Sequence, residues 1–599
     1  MTLSSSALTW AQLRDIACAE LERAADGWGR AGSRADAGRD RIERQLMTGL
    51  RETQRGAAAG AAVGRLRELG RNLQYVYTEC GLVRTALNSL AHEMRGQQTV
   101  LLRALEEAEA LRFTVHADGS VTYPPGGEGV VDGKPLPGGT ARVTRAPGLY
   151  PSSGLVAPNP NAVRAQDIAD RITGAVRAAA EADWRFTRVL RGLRAEEGLK
   201  VPDRTWTDAA GDAAAVRRLA DGYLRSRIPQ DASAEERREW WYGLTDEQRE
   251  EFLAVYPDRI GNLDGIPSLI RDVANRDNLR LLIGELEGRG DEEARVRLEG
   301  LREIDRQLNA GGRPPMYLLG IGDEGNGRAI VSFGNPDTAR NVAAYVPGLN
   351  TSLDGAFARS DLKRARDTAI GMHQHDPSSA AIVWLGYDAP QFPDGLDSLD
   401  VAGDERAVRG GADFSRFMGG LAATSAYEDP HLTAIGHSYG SRTVGAATQQ
   451  DGGIPGVDDI VLVGSPGVGV DRAEDLGVGR DHVFVGAARN DVVTSVPSRA
   501  QAAAGFVGLT SLGPGAARLF GAVADPGGDD LWFGQNPADE AFGARRFAVD
   551  DGPGVLSGGR PNADAHAQYF DPSRDAASAN SIALIATGKA SELRSEGHR

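Results

Sequence analysis

Apolar positions follow three successive rhythms along this chain. Over residues 8–113, Trp10, Leu13, Ile16, Ala17, Leu21 and Ala24 recur at three- and four-residue steps, and Leu66, Leu69, Leu73, Val76 and Cys80 resume the spacing. That period lines one face of a helix, so long amphipathic helices are predicted, bent at the Ala/Gly stretch from Gly56 to Gly64. Charges of both signs cover the remaining faces, as in a solvated bundle. Around Asp118-Gly119, "FTVHADGSVTYPP" alternates apolar and polar residues, which predicts a hairpin. The Gly/Pro-rich stretch up to Pro160 reads as linker, and a helix over about 162–197 returns to the bundle. A first domain is therefore expected at 1–199, helical apart from the insertion at 113–160.

Residues 200–305 form a second helical block, expected to pack on the domain that follows. Thr245 with Gln248 makes a capping box that starts a helix, and the Trp240-Trp241 pair reads as core packing rather than a ligand cage. From about 315 the rhythm changes again. Short, near-continuous apolar runs at Tyr317–Ile321, Ala329–Phe333, Val342–Val346, Ala380–Leu385, Leu432–Ile435, Ile460–Val463 and His482–Gly486 alternate with helical segments such as Leu353–Met372. Strands buried on both faces read this way, so residues 306–599 are expected to form a doubly wound, mostly parallel α/β sheet. Phe506, Leu509, Trp532, Phe533 and Phe542 lie between glycines over 500–560 and are expected to cap a site rather than fill the core.

Composition narrows the function. The chain has 599 residues, 41% hydrophobic and 25% charged, as in soluble globular proteins of several domains. Acidic residues outnumber basic ones, 83 to 67, for a net charge of −16. Nucleic acid and anionic membrane surfaces need a basic face and are not expected partners. The start, "MTLSSSALTWAQLRDIA", lacks a basic segment followed by an apolar one, so it does not read as a signal peptide. No run approaches the roughly 18 apolar residues that span a bilayer. The localisation expected from this is cytoplasmic, with Cys18 and Cys80 as reduced core thiols.

The chemistry concentrates in "LTAIGHSYGSRTVGAA", residues 432–447. A buried strand, a glycine-flanked turn and a helix of small residues are the context of a G-x-S-x-G nucleophile elbow, which lifts a serine above the carboxyl edge of a sheet. Gly436 and Gly440 suit so tight a turn, because side chains there would strike the neighbouring strand and helix. The simpler alternative is a serine that only caps the helix. A nucleophilic serine needs a base, and the base an orienting acid; in this architecture the order is Ser, acid, His. Of nine histidines, His482, His566 and His598 follow Ser438. His482 opens a strand at the edge away from the serine and His598 is penultimate, so His566 in "NADAHAQYF" is the expected base. Asp491, just past the strand in "VFVGAARNDVVT", is the expected acid; Asp458, Asp459 and Asp481 precede strands, whereas Asp525, Asp529 and Asp530 stay open. An oxyanion hole is expected from the N–H of Tyr439 and that of Leu349 or Asn350 in "AAYVPGLNTSLDG", where Gly348 permits close approach. His373, His375 and Asp376 in "MHQHDPSS" suggest a metallohydrolase run, but the aspartate spacing departs, a final histidine is missing, and the cluster falls at the amino edge. No metal and no cofactor are expected.

Together, "GHSYGS", "IVWLGYDAP", "YVPG" and "IGNLDGIPSLIRDVANRDNL" resemble an uncharacterised α/β-hydrolase family of high-GC Gram-positive bacteria, over roughly residues 200–590. The resemblance implies an α/β-hydrolase fold and a serine hydrolase of lipase, esterase or cutinase type, with Ser438, Asp491 and His566 as its triad. The substrate expected is a small-molecule or lipid ester. The N-terminal bundle is similar, more loosely, to the helical WXG-type domains of type VII secretion substrates, although "DGWGR" lacks the Trp-x-Gly spacing. Tyr75 and Glu79 match the Tyr-x-x-x-Asp/Glu secretion signal in form. That similarity implies a helical-bundle protein partner and secretion without a signal peptide. A competing reading is non-enzymatic: an interaction or effector protein working through its helical half, with the hydrolase domain as scaffold. The intact Ser–Asp–His order favours the enzyme.

Overall fold

The computed structural model describes residues 8–128, 134–142, 159–193, 203–391, 404–495, 530–531, 533–554, 556–557, 560–561, 564–594 and 596. The chain divides into two compact units. One comprises residues 1–228 with 250–255, the other 229–249 with 256–599.

The first unit is helical. Its longest member, Ala57–Ala110, starts after Gly56, whose φ of 98° ends the preceding segment where the Ala/Gly stretch begins. Helices Cys18–Asp40 and Pro160–Gly192 pack on it through small residues; a Cβ on Gly32 would stand 3.3 Å from Cys80 Cβ. Gln98 Nε2 donates to the carbonyls of Leu13 (3.0 Å) and Ile16 (2.8 Å), fixing the elbow between Trp10–Asp15 and Cys18–Asp40. The hairpin forms around Gly119, with Thr114–Val115 antiparallel to Val121–Tyr123. The domain boundary expected near residue 200 lies instead after Ile228, because helix Asp203–Ala220 belongs to the bundle, with Trp206 edge-on to Tyr75 at 6.0 Å. Residues 250–255 join the same unit: Glu251 accepts hydrogen bonds from Asn88 and Tyr223, and Ala254 fills the space left by Gly81. Tyr75 and Glu79 are buried, so this pair lies inside the bundle rather than on a helix surface.

The second unit is built on an eight-stranded sheet. Its strands are β1 (Met316–Gly322), β2 (Arg328–Phe333), β3 (Asn341–Val346), β4 (Ser379–Leu385), β5 (His431–His437), β6 (Val457–Val463), β7 (Val483–Gly486) and β8 (Arg545–Arg546). Their spatial order is β8-β7-β6-β5-β3-β4-β2-β1, and within this sheet only β2 runs against the others. Both faces are covered, which is why the strands read as near-continuous apolar runs. Ala343 and Tyr345 of β3 and Ala381 and Val383 of β4 join a core with helices Ser268–Arg289, Glu292–Ala310 and Gly355–His375. The alternate residues, Val342, Ala344, Ala380 and Ile382, join another with Glu405–Thr424 and Tyr439–Thr448. Phe533 and Phe542, expected in a cap, are buried in this second core, while residues 496–529 and Trp532 lie outside the described residues.

The stretch "IGNLDGIPSLIRDVANRDNL" has a specific task here. β1 is an edge strand, and side chains from this stretch satisfy its outward backbone groups. Asn262 accepts the Ile321 N–H at 3.0 Å and donates to the Ile321 carbonyl at 2.9 Å, as a neighbouring strand would. Asp272 accepts the Leu318 N–H (2.7 Å), and Asn275 donates to the Leu318 carbonyl (3.1 Å). Buried polar backbone needs such partners, and these residues supply them. Asn275 is fully buried. Asn275→Ala is expected to destabilise this unit by about 1–3 kcal/mol, the range for a buried acceptor left without its donor. The check is the calorimetric unfolding midpoint, which should fall by several degrees; an unchanged midpoint would mean that the amide is dispensable.

Candidate active site

β5 stays buried to its end and then turns sharply. Ser438 has φ 56° and ψ −132°, a left-handed conformation that strains any residue with a side chain, and helix Tyr439–Thr448 begins at the next residue. The flanking residues permit this turn through their lack of a side chain. A Cβ on Gly436 would lie 2.5 Å from Ser441 Cα, and one on Gly440 would lie 2.1 Å from the Val346 carbonyl oxygen. Ser438 N–H donates to Val463 O at 3.1 Å, tying the turn to the end of β6.

The loop after β3 runs against the serine. A Cβ on Gly348 would stand 2.6 Å from Ser438 Cβ and 3.0 Å from its Oγ. Tyr387, just past β4, donates its hydroxyl to Pro347 O at 2.7 Å, and Thr351 Oγ1 donates to Gly348 O at 2.8 Å. Asn350, at φ 60°, donates its N–H to Pro390 O at 2.8 Å. Of the two residues expected as the second oxyanion donor, Asn350 thus has its N–H on Pro390 O.

Asp491 and His566 meet although 75 residues separate them in the chain. His566 Nδ1 lies 3.0 and 2.9 Å from the two oxygens of Asp491. Oδ1 also accepts the Val493 N–H (2.9 Å), and Oδ2 accepts the Tyr569 hydroxyl (2.6 Å). The carboxylate is fully buried, and the imidazole keeps 16% of its side-chain surface exposed. Burial alone would raise the Asp491 carboxyl, but the hydrogen bond and charge of His566, with the Tyr569 and Val493 donors, hold it below the ordinary carboxylate value. The imidazole packs against Gly464, where a Cβ would be 2.8 Å from His566 Nδ1 and from Asp491 Oδ2. His437 stacks on His566 with ring centroids 4.6 Å apart and donates from Nε2 to the His566 carbonyl at 2.9 Å. Since His437 precedes Ser438, and Val463, the serine's backbone partner, precedes Gly464, the imidazole sits against both segments that flank the serine.

The other candidates lie elsewhere. His482 Nδ1 and His431 Nε2 share Asp459 at 2.8 and 3.1 Å, and Asp458 accepts the Leu432 N–H, all at the amino ends of β5 and β6. His373 Nε2 is 2.9 Å from Ser379 O, His375 Nε2 is 3.1 Å from Asn580 Oδ1, and Asp376 accepts the Ser378 N–H. His598, Asp525, Asp529 and the side chain of Asp530 lie outside the described residues. Sequence reasoning missed His437, Tyr387, Gly464 and Tyr569. The first had a visible sign, as the variable residue of the elbow; the others touch the site only through the fold.

A serine on a strained strand-to-helix turn after β5, a sheet with one reversed strand and helices on both faces define the α/β-hydrolase fold. Residues 323–501 match the alpha/beta hydrolase family. The chain is similar to an uncharacterised protein of Mycobacterium tuberculosis, 30% identical over 402 residues, which cover 62% of this chain and 58% of that protein. It is also similar to an uncharacterised protein of Mycobacterium bovis, 39% identical over 178 residues, or 28% of this chain and 64% of that one. The chain thus spans less than two thirds of the length of either relative.

Burial holds the His437 imidazole well below its ordinary value, and the charges of His566 and Arg364 push it the same way. The unfolded chain takes up a proton at residue 437 below about pH 6.5, whereas the folded protein does not, so stability falls as pH drops through that value. Asp491 acts in the same direction below about pH 4, where the unfolded carboxylate protonates first. The ring resonances of His437 should therefore stay in the neutral form from pH 8 to about pH 5. A titration midpoint near 6.5 would contradict the burial argument.

Proposed function

We propose that this chain is a serine hydrolase of carboxylic esters, acting through an acyl-enzyme on Ser438. The observation that carries the reading is the buried Asp491–His566 pair set against the two segments that flank an elbow serine. Ser438 Oγ attacks the ester carbonyl carbon while His566 Nε2 takes the hydroxyl proton. The N–H groups of Tyr439 and Leu349 stabilise the oxyanion, and the imidazolium is held by Asp491. Collapse of the tetrahedral intermediate breaks the ester C–O bond, and His566 returns the proton to the departing alcohol. Water, deprotonated by the same imidazole, then releases the acid and restores Ser438. The net charge of −16 fits a neutral or lipophilic ester better than an anionic one.

Ser438→Ala should abolish labelling by a fluorophosphonate probe and lower kcat on p-nitrophenyl esters by about 10⁴–10⁶-fold. Undiminished turnover in that variant would overturn the serine mechanism. Asp491→Asn should lower kcat by roughly 10⁴-fold in a folded protein, because the imidazole is then held in the wrong tautomer. A loss below tenfold would show that another carboxylate orients the base.

A further inference from the structure

Tyr569 is fully buried and joins the segment that carries the base to the one that carries the acid. Its hydroxyl accepts the Ala488 N–H at 3.0 Å and donates to Asp491 Oδ2 at 2.6 Å. Ala488 and Asp491 are the two ends of one turn, closed by Asp491 N–H to Ala488 O at 3.2 Å, so one phenol spans that turn from the chain three residues beyond His566. The His566 Nδ1–H is shared between both carboxylate oxygens, and the Tyr569 hydroxyl is the further donor on Oδ2, as the Val493 N–H is on Oδ1. The titratable and charged neighbours are His437, stacked on His566, and behind it Tyr345, whose hydroxyl donates to Asp361 (2.8 Å) and accepts from Arg364 (2.9 Å). None of these replaces the phenol on Asp491 Oδ2 among the described residues.

We propose that Tyr569 is a positioning residue for hydrolysis: its hydroxyl fixes the rotation of the Asp491 carboxylate and moderates the charge that Asp491 presents to His566. The proposal rests on Ser438, Asp491 and His566 acting as described above. A short hydrogen bond from a neutral phenol draws charge off the carboxylate, and without it the imidazolium is held more tightly. Removing the hydroxyl therefore makes His566 harder to deprotonate and leaves the carboxylate freer to turn.

Tyr569→Phe tests this. The acid limb of kcat/KM should move up by about half to one pH unit, with kcat lower by roughly tenfold and KM little changed. In the Asp491→Asn background the same substitution should change kcat less than about twofold, since the group it acts through is gone. An unmoved acid limb, or an equal loss in both backgrounds, would overturn the proposal; the latter marks a purely structural residue. Should Tyr569→Phe fail to fold by circular dichroism, 3-fluorotyrosine at 569 keeps the shape and donates more strongly, so the acid limb should move down, and an unshifted limb would count against the proposal. Ser438→Ala, run alongside, separates the two levels: activity retained there defeats the serine reading itself, whereas its loss with an unmoved Tyr569→Phe profile defeats only this inference.

Discussion

The α/β half of this molecule depends on one strained residue. Ser438 holds a φ of 56°, where a residue with a side chain costs about 1–3 kcal/mol relative to ordinary backbone. The turn persists because its surroundings leave it no alternative. The Val346 carbonyl closes on Gly440, Ser441 closes on Gly436, and Gly348 lies against the serine's own Cβ. Two chain segments, residues 346–348 and 436–441, therefore meet at this turn at distances that only glycine tolerates. The helix that follows inherits its direction from this turn, and the loop after β3 is positioned by the same contacts.

Behind the turn, electrostatics follows from packing. His437 stays neutral because it is buried among Tyr345, Tyr569, Phe570 and His566. Were it charged, an imidazolium at His566 would face a like charge at 4.6 Å, a repulsion of about 3–4 kcal/mol at an effective dielectric of 20. That is two to three powers of ten in a proton equilibrium. The Arg364–Asp361–Tyr345 network keeps its positive charge paired beyond Tyr345, so the aromatic cage stands between that charge and the His566 ring.

Much of this was legible in the sequence, and the reason differs from element to element. The elbow is local: Gly436, Ser438 and Gly440 declare it within five residues. The parallel sheet was readable because burial on both faces removes polar residues from the strands. The N–H partner of Asn350, Pro390, comes from another loop, which no spacing reveals. Tyr569 carries no sign beyond proximity to His566, since its partners Ala488 and Asp491 are brought to it by the sheet. The boundary at Ile228 was missed because amphipathic helices look alike whichever core they serve; Trp206 faces Tyr75, and nothing in its own segment says so.

The amides on β1 have a meaning beyond stability. A parallel sheet with an open side invites a strand from a second copy, and the result is an indefinite stack. Here Asn262, Asp272 and Asn275 occupy the hydrogen-bonding sites on one side. On the other, the chain around two-residue β8 is bonded to later residues, with Ala548 N–H on Arg594 O and Glu596 N–H on Arg546 O. Among the described residues the sheet is met on both sides by its own chain, which disfavours self-association of this unit through shared backbone.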